Sequence, residues 1–154
     1  MELKFYLNNT LVTWDVEPDE YLSHALRRNG VLSIRVGCDE TVCGSCTVLV
    51  DEKPVLSCGV LAMKVEGKHV TTVEGIQEEA NRLADFFGDE GADQCGYCAP
   101  GHAMIIHALK EEYKDKMPSD EEIKSYLIGN LCRCSGYQSQ LIAVKNYLKE
   151  CIHG

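Results

Sequence analysis

The sequence predicts an α+β chain, a β-rich half followed by a helical half. Three observations carry that expectation. Up to Val73 the apolar residues fall mainly in short runs that read as strands, and beyond Gly75 they recur at helical spacing. Eight of the nine cysteines fall into two sets of four, one set in each half. With 154 residues in all, each half holds roughly 75, a size at which an apolar core alone is marginal and metals commonly contribute.

Taken in order, Leu3, Phe5 and Leu7 alternate with Lys4 and Tyr6. Leu11, Thr13 and Asp15 alternate with Val12, Trp14 and Val16. Asn8-Asn9-Thr10 separates the two runs, so they form a hairpin. The same tripeptide matches a glycosylation sequon, for which the turn is the simpler reading. Pro18 and Asp19 open a short helix with Leu22, Ala25 and Leu26 on one face and Gly30 at its end. Cys38 to Cys46 reads as an irregular loop. Thr47–Val50 is a buried strand, Asp51-Glu52-Lys53-Pro54 a turn, Val55-Leu56 a strand running into Cys58, and His69 to Val73 a last strand. Strand, strand, helix, cysteine loop, strand, strand is the element order of a β-grasp fold. In the second half Leu83, Phe86 and Phe87 share a face. Pro100 starts a helix striped with Met104, Ile105, Ala108 and Leu109. Ser119 and Glu122 are spaced as a capping box, and Leu141, Val144, Leu148 and Cys151 mark a terminal helix. Four helices suit a bundle. The division falls at 1–76, a β-grasp domain, and 77–154, a helical domain.

The two cysteine sets differ in grammar. Cys38, Cys43, Cys46 and Cys58 read C-x4-C-x2-C-x11-C, the spacing of a plant-type ferredoxin loop around a [2Fe–2S] cluster. Cys95, Cys98, Cys132 and Cys134 read C-x2-C-x33-C-x-C and close a second four-thiolate site from two short chelates. Gly37, Gly44 and Ser45 are small enough for backbone N–H groups to crowd toward electron-rich sulfurs. Both short chelates precede predicted helices, whose N-terminal dipoles favour an anionic cluster. A pair of four-cysteine zinc sites is the main alternative, since C-x2-C also chelates zinc. A disulfide framework fits poorly with an odd count in a reducing compartment. Cys151 reads as helix packing. His24, His69, His102, His107 and His153 read as surface or core residues, because two full thiolate sets leave no vacancy.

The remaining composition is mostly exclusionary. The net charge is −9, from 15 basic and 24 acidic residues, with no basic stripe, which argues against nucleic acid as a partner. No apolar run approaches a membrane span, and Met1-Glu2-Leu3-Lys4-Phe5 lacks the basic-then-apolar start of a secretory signal. A cytoplasmic location is expected. No G-x-G-x-x-G, phosphate-binding loop or nucleophile motif occurs, so no catalytic residue is assigned to this chain.

Three stretches resemble a known family: Gly37-Cys38 with Cys43-Gly44-Ser45-Cys46, Gln94-Cys95-Gly96-Tyr97-Cys98-Ala99-Pro100-Gly101, and Gly129-Asn130-Leu131-Cys132-Arg133-Cys134-Ser135-Gly136-Tyr137. Over nearly the whole chain the sequence resembles the small iron–sulfur subunit of the xanthine dehydrogenase family of molybdenum hydroxylases. The resemblance implies two [2Fe–2S] clusters, one in a ferredoxin-like domain and one in a four-helix domain. It implies a large partner subunit carrying molybdopterin-bound molybdenum and an FAD-binding subunit, in a hetero-oligomer such as a dimer of heterotrimers. It further implies that the helical-domain cluster lies nearest the molybdenum and the ferredoxin-like cluster nearest the flavin. On that basis Gln94 hydrogen-bonds the pterin and Cys134 links the second cluster to it. The sequence departs from the family at Thr41, where Gly is usual; if that position needs φ > 0, Thr is costly there. Ser45, Ala99 and Ser135 are small replacements. The rival readings are a free-standing two-cluster ferredoxin and a zinc-stapled interaction module. The substrate of the assembled enzyme is set by another chain.

Overall fold

Leu3 and Phe5 point to one face of the first strand and are fully buried, while their neighbours face solvent. This is the period-two pattern that the sequence carries. The structure, a computed structural model, describes residues 1–38 and 40–153, with the His153 side chain outside the described set. Strands β1 (Glu2–Leu7) and β2 (Thr10–Asp15) form an antiparallel hairpin. Asn8 and Asn9 make its turn at φ 47° and 67°, left-handed values that asparagine tolerates, so Thr10 belongs to the strand rather than to the turn. Helix α1 (Leu22–Arg28) follows, beginning later than Pro18-Asp19 suggested. Leu22, Ala25 and Leu26 are buried on the sheet, and Gly30 leaves the helix at φ 92°. Strands β3 (Thr47–Val50) and β4 (Lys53–Leu56) are joined by a two-residue turn at Asp51-Glu52. Pro54, expected in that turn, instead lies in β4, an edge strand that tolerates a missing N–H. Strand β5 (His69–Thr71) completes the sheet, in the order β2-β1-β5-β3-β4. The central pair, β1 and β5, is parallel and the other pairs are antiparallel.

Helices α2 (Gln77–Asp89), α3 (Ala99–Glu112), α4 (Asp120–Leu127) and α5 (Tyr137–His153) make up the second half among the described residues. Pro100 lies in the first turn of α3. Ser119 caps α4, accepting from the Glu122 N–H at 3.3 Å, while the Glu122 carboxylate accepts from the Ser119 N–H at 2.6 Å. One apolar core lies between α1 and the sheet, around Leu3, Phe5, Leu26 and Val48. A second lies among the helices, around Leu83, Ile106, Ile123, Val144 and Tyr147. A small third cluster, Leu49 with Met104 and Ala108, joins β3 to α3. No helix among the described residues is long and apolar enough to cross a membrane.

Candidate metal centres

The loop before β3 is built around sulfur. Backbone N–H groups of Val42, Glu40 and Cys43 converge on the Cys38 sulfur and hold its pKa at about 7. Thiolate is therefore favoured there before any metal is considered. Gly37 explains the close approach: a Cβ on it would sit 3.2 Å from Cys43 Sγ and 3.3 Å from Ser45 Oγ. Thr41 occupies the loop at φ 56°, so the position does require a left-handed backbone, as the sequence comparison raised. The fourth thiol arrives from beyond β4, with Cys58 Sγ 3.3 Å from Cys46 Sγ. Burial pushes the Cys58 thiol up to about 12, helped by its bond to Cys46 and by the neighbouring sulfurs of Cys46, Cys38 and Cys43.

The second set is assembled at helix N-termini. Cys98 is the N-cap residue of α3, and Cys134 lies three residues before α5. Gly96, at φ 71°, turns the short chelate so that the Tyr97 N–H points at Cys95 Sγ, 3.5 Å away. Burial pushes Cys98 up to about 12, with Cys132 and Cys95 adding like-charge repulsion. Cys132 goes the other way: burial raises it, but the Ser135 hydroxyl and the backbone N–H groups of Ser135 and Cys134 outweigh that. Gln94 and Cys134, remote in sequence, meet at the exposed rim, where the Gln94 amide donates to the Cys134 carbonyl at 3.4 Å.

All nine cysteines are free thiols. In the first set Cys46 and Cys58 are in hydrogen-bond contact at 3.3 Å, and in the second Cys98 lies near Cys132 and Cys134 near Cys95. A two-iron core takes four thiolates, two to each iron. A single zinc ion instead needs all four sulfurs about 2.3 Å from one point. Among the described residues no group of three or more His, Cys, Asp or Glu is placed to hold a single ion. The amides aimed at sulfur and the gathering of four thiols in each set fit [2Fe–2S]. Two iron cations would also relieve the crowding that keeps Cys58 and Cys98 protonated.

The two sets share a cleft. Cys43 from the first lines a cavity of about 400 Å³ together with Cys95, Cys98, Cys132 and Cys134 from the second. Three contacts hold its walls. The Leu131 N–H donates to the Cys43 carbonyl at 2.8 Å. The Asn130 amide donates to the Gly44 carbonyl at 3.1 Å. Tyr97 reaches back to the loop before β3, donating from its hydroxyl to the Val36 carbonyl at 2.9 Å. Gly101, at the start of α3, lets that helix touch the first loop: a Cβ there would lie 2.4 Å from the Gly44 oxygen.

Sequence reasoning missed how the halves lock. Asn130 was noticed only as part of a motif, and its one signal was its position just before the Cys132 chelate. Of the histidines, His24 and His69 are exposed, while His107 lies 2.9 Å from Glu79. His102 is buried beside Cys98 and against Phe87, a core position as expected, with one ring nitrogen left unpartnered. The His153 side chain lies outside the described residues.

Two family models cover the chain almost end to end. A "2Fe-2S iron-sulfur cluster binding domain" matches residues 5–74 and a "[2Fe-2S] binding domain" matches residues 72–145. The chain belongs to the small iron–sulfur subunits of the molybdenum hydroxylases. It is 39% identical over 138 residues to the nicotinate dehydrogenase small FeS subunit of Eubacterium barkeri, covering 88% of this chain and 87% of that one. It is 42% identical over 123 residues to the xanthine dehydrogenase iron-sulfur-binding subunit of Escherichia coli O157:H7, covering 79% and 77%. Among solved structures, quinoline 2-oxidoreductase of Pseudomonas putida 86 superposes with TM-score 0.90 at 34% identity, covering 99% of this chain and 96% of that one. The aldehyde oxidoreductase of Desulfovibrio desulfuricans superposes with TM-score 0.88 at 32% identity, and there this chain matches only 17% of a longer polypeptide. Members of this family thus occur both as separate subunits and as a segment of a larger chain.

Proposed function

We propose that this chain carries two [2Fe–2S] clusters and relays single electrons between a molybdopterin-bound molybdenum site on a large partner subunit and an FAD-binding partner. Cys38, Cys43, Cys46 and Cys58 hold one cluster; Cys95, Cys98, Cys132 and Cys134 hold the other. The observation that carries the reading is the convergence of Cys43 from the first set and Cys95, Cys98, Cys132 and Cys134 from the second on one cleft, with Cys58 brought to 3.3 Å from Cys46 within the first set. When bound, each cluster supplies a one-electron donor and acceptor whose potential the surrounding hydrogen bonds and burial tune.

The protein's own contribution is to hold the two sets close, point amides at sulfur and leave each set open on one side. The Leu131 N–H to Cys43 carbonyl bond joins the backbone of one set to the residue before Cys132. On the outer side of the second set, Gln94 and Cys134 share the exposed rim, which supports their assignment to the pterin contact. Beside that rim runs an apolar groove of about 480 Å³ lined by Leu127, Ile128, Leu131, Tyr137 and Leu141. Leu131 and Tyr137 line both groove and cleft. Ile128 is 80% exposed, a surface that favours a permanent partner over a free-standing carrier. Beside the first set, a cleft of about 470 Å³ lined by Tyr21, His24, Val36, Thr41, Cys58 and Gly59 supports an exit toward flavin.

The working division is 1–76, ferredoxin-like, and 77–154, a four-helix bundle for the second cluster. Nine free thiols suit a reducing, cytoplasmic location. Chemistry on substrate belongs to the partner carrying molybdenum. Native purification with mass spectrometry of co-eluting chains, and molybdenum and flavin analysis, tests the assembly. A large molybdenum subunit and a flavin subunit are expected. A lone brown protein would favour the free carrier, and a colourless protein containing zinc would favour the interaction module.

A further inference from the structure

Two polar side chains lie inside the otherwise apolar helical core, next to the second thiol set, and the electron path does not use them. His102 on α3 and Gln140 on α5 are each 2% exposed. The His102 Nδ1 lies 3.0 Å from the Cys98 carbonyl. Since a carbonyl only accepts, Nδ1 carries the hydrogen. Burial holds the ring below its ordinary pKa, so it is neutral and Nε2 is left as a bare acceptor. That nitrogen is buried with no hydrogen-bond partner in place. An unmatched buried acceptor is costly, and a folded core seldom tolerates one without a reason.

Gln140 lies beside the ring without a hydrogen bond to Nε2. Its amide donates one N–H to Ser135 Oγ at 3.4 Å, and Ser135 Oγ lies 3.3 Å from Cys132 Sγ. An amide nitrogen has two hydrogens, so Gln140 has one left for the orphaned nitrogen. That one contact, once closed, would complete a chain of polar groups from the Cys98 carbonyl through His102, Gln140 and Ser135 to the Cys132 sulfur. Cys98 also lies close enough to Cys132 for the two sulfurs to disfavour each other's charge.

We propose that His102, Gln140 and Ser135 form a buried strut that fixes the Ser135 hydroxyl on Cys132 and so sets how readily the second cluster accepts an electron. This rests on the two-cluster reading above. A hydroxyl donating to a cluster thiolate favours the reduced, more negative state, so it raises the potential of that cluster. The three are positioning residues: only Ser135 touches a ligand sulfur, and the other two hold it in place. The first set lies outside the strut, which makes it an internal control.

The test is an EPR-monitored redox titration of the native complex carrying Ser135→Ala, Ser135→Thr, Gln140→Leu, or Gln140→Leu combined with His102→Leu. Ser135→Ala moves the second cluster to a more negative potential, by on the order of a tenfold change in its reduced-to-oxidised ratio, equivalent to about 59 mV for one electron. Ser135→Thr keeps the hydroxyl and restores the wild-type value. Gln140→Leu moves the potential the same way by less, and adding His102→Leu produces little further change, because the strut is already broken. Gln140→Leu alone still tests the strut if the double variant does not fold. A second-cluster potential unchanged in Ser135→Ala and Gln140→Leu, or an equal shift of both clusters, overturns the proposal. A wild-type complex without iron–sulfur signals overturns the underlying reading and this inference with it, a result distinguishable from intact clusters with unchanged potentials.

Discussion

Thr41 sits at φ 56° in the first cysteine loop, where a β-branched L-residue crowds its own carbonyl. The left-handed region costs such a residue about 1–2 kcal/mol. Its hydroxyl recovers part of that by donating to the Glu40 carbonyl at 2.7 Å. Thr41→Gly should therefore raise the temperature at which the visible cluster absorbance bleaches, and Thr41→Val should lower it by keeping the strain and losing the bond. A glycine variant that bleaches no later than wild type would count against strain at this position. Gly101 makes the opposite case. A Cβ there meets the Gly44 carbonyl at 2.4 Å, backbone that cannot swing aside. Gly101→Ala should cost about 1–3 kcal/mol by the overpacking route. Gly88→Ala in α2 has nothing within 4 Å and should instead add about 0.5–1 kcal/mol. Urea denaturation of the two variants checks the contrast. The two cysteine sets and the Thr41 departure were legible because spacing and residue type speak directly to sulfur chemistry. His102 and Gln140 were not, because their significance depends on two helices remote in sequence placing both side chains beside the same thiols.

At the scale of elements, α2, α3 and α5 are tied together by one carboxylate. Glu79 accepts from Lys110 at 2.6 Å and from the Tyr147 hydroxyl at 2.8 Å, and the His107 ring nitrogen lies 2.9 Å away. Burial pushes the Glu79 carboxyl up, but the bonds from His107, Lys110 and Tyr147 outweigh that and hold it at about 2, well below the usual 4.5. A depressed carboxylate stabilises the fold fully above its unfolded pKa and loses that contribution as pH falls toward the folded one. Glu79→Gln should thus be less stable than wild type by about 1–3 kcal/mol near neutrality. The gap should narrow as pH falls below about 4.5; urea midpoints of both proteins across that range measure it. A gap independent of pH would mean that the carboxylate charge is not what ties the helices. The helices themselves were readable from apolar stripes and the Ser119–Glu122 capping box. Their boundaries were less so: Pro54 took an edge-strand place and α1 began at Leu22, because strand pairing and packing on the sheet override local turn signals.

Across the whole molecule, the β half and the helical half are not beads on a string. The Cys43 carbonyl, Gly44, Tyr97 and Asn130 lock the two cysteine sets onto one cleft, and Leu49 packs against Met104 behind it. That juxtaposition makes two metal sites into one conductor, with an apolar groove at one end and the Tyr21–His24 cleft at the other. The β-grasp order and the two-site count could be read from the sequence, since each is local to its own half. The lock could not, because it depends on backbone groups whose partners lie across the domain boundary. Asn130→Ala should weaken it by removing the bond to the Gly44 carbonyl, which keeps its two donors from Thr47. The expected loss is about 0.5–1.5 kcal/mol, read as a lower urea midpoint with both cluster signals retained. The central claim is that eight thiols hold two separate one-electron centres. Stepwise reduction of the native protein, followed by EPR with iron and acid-labile sulfide analysis, tests it most directly. Two distinguishable reduced-cluster signals, with about four irons and four sulfides per chain, are predicted. A single signal, or zinc without sulfide, would contradict the account.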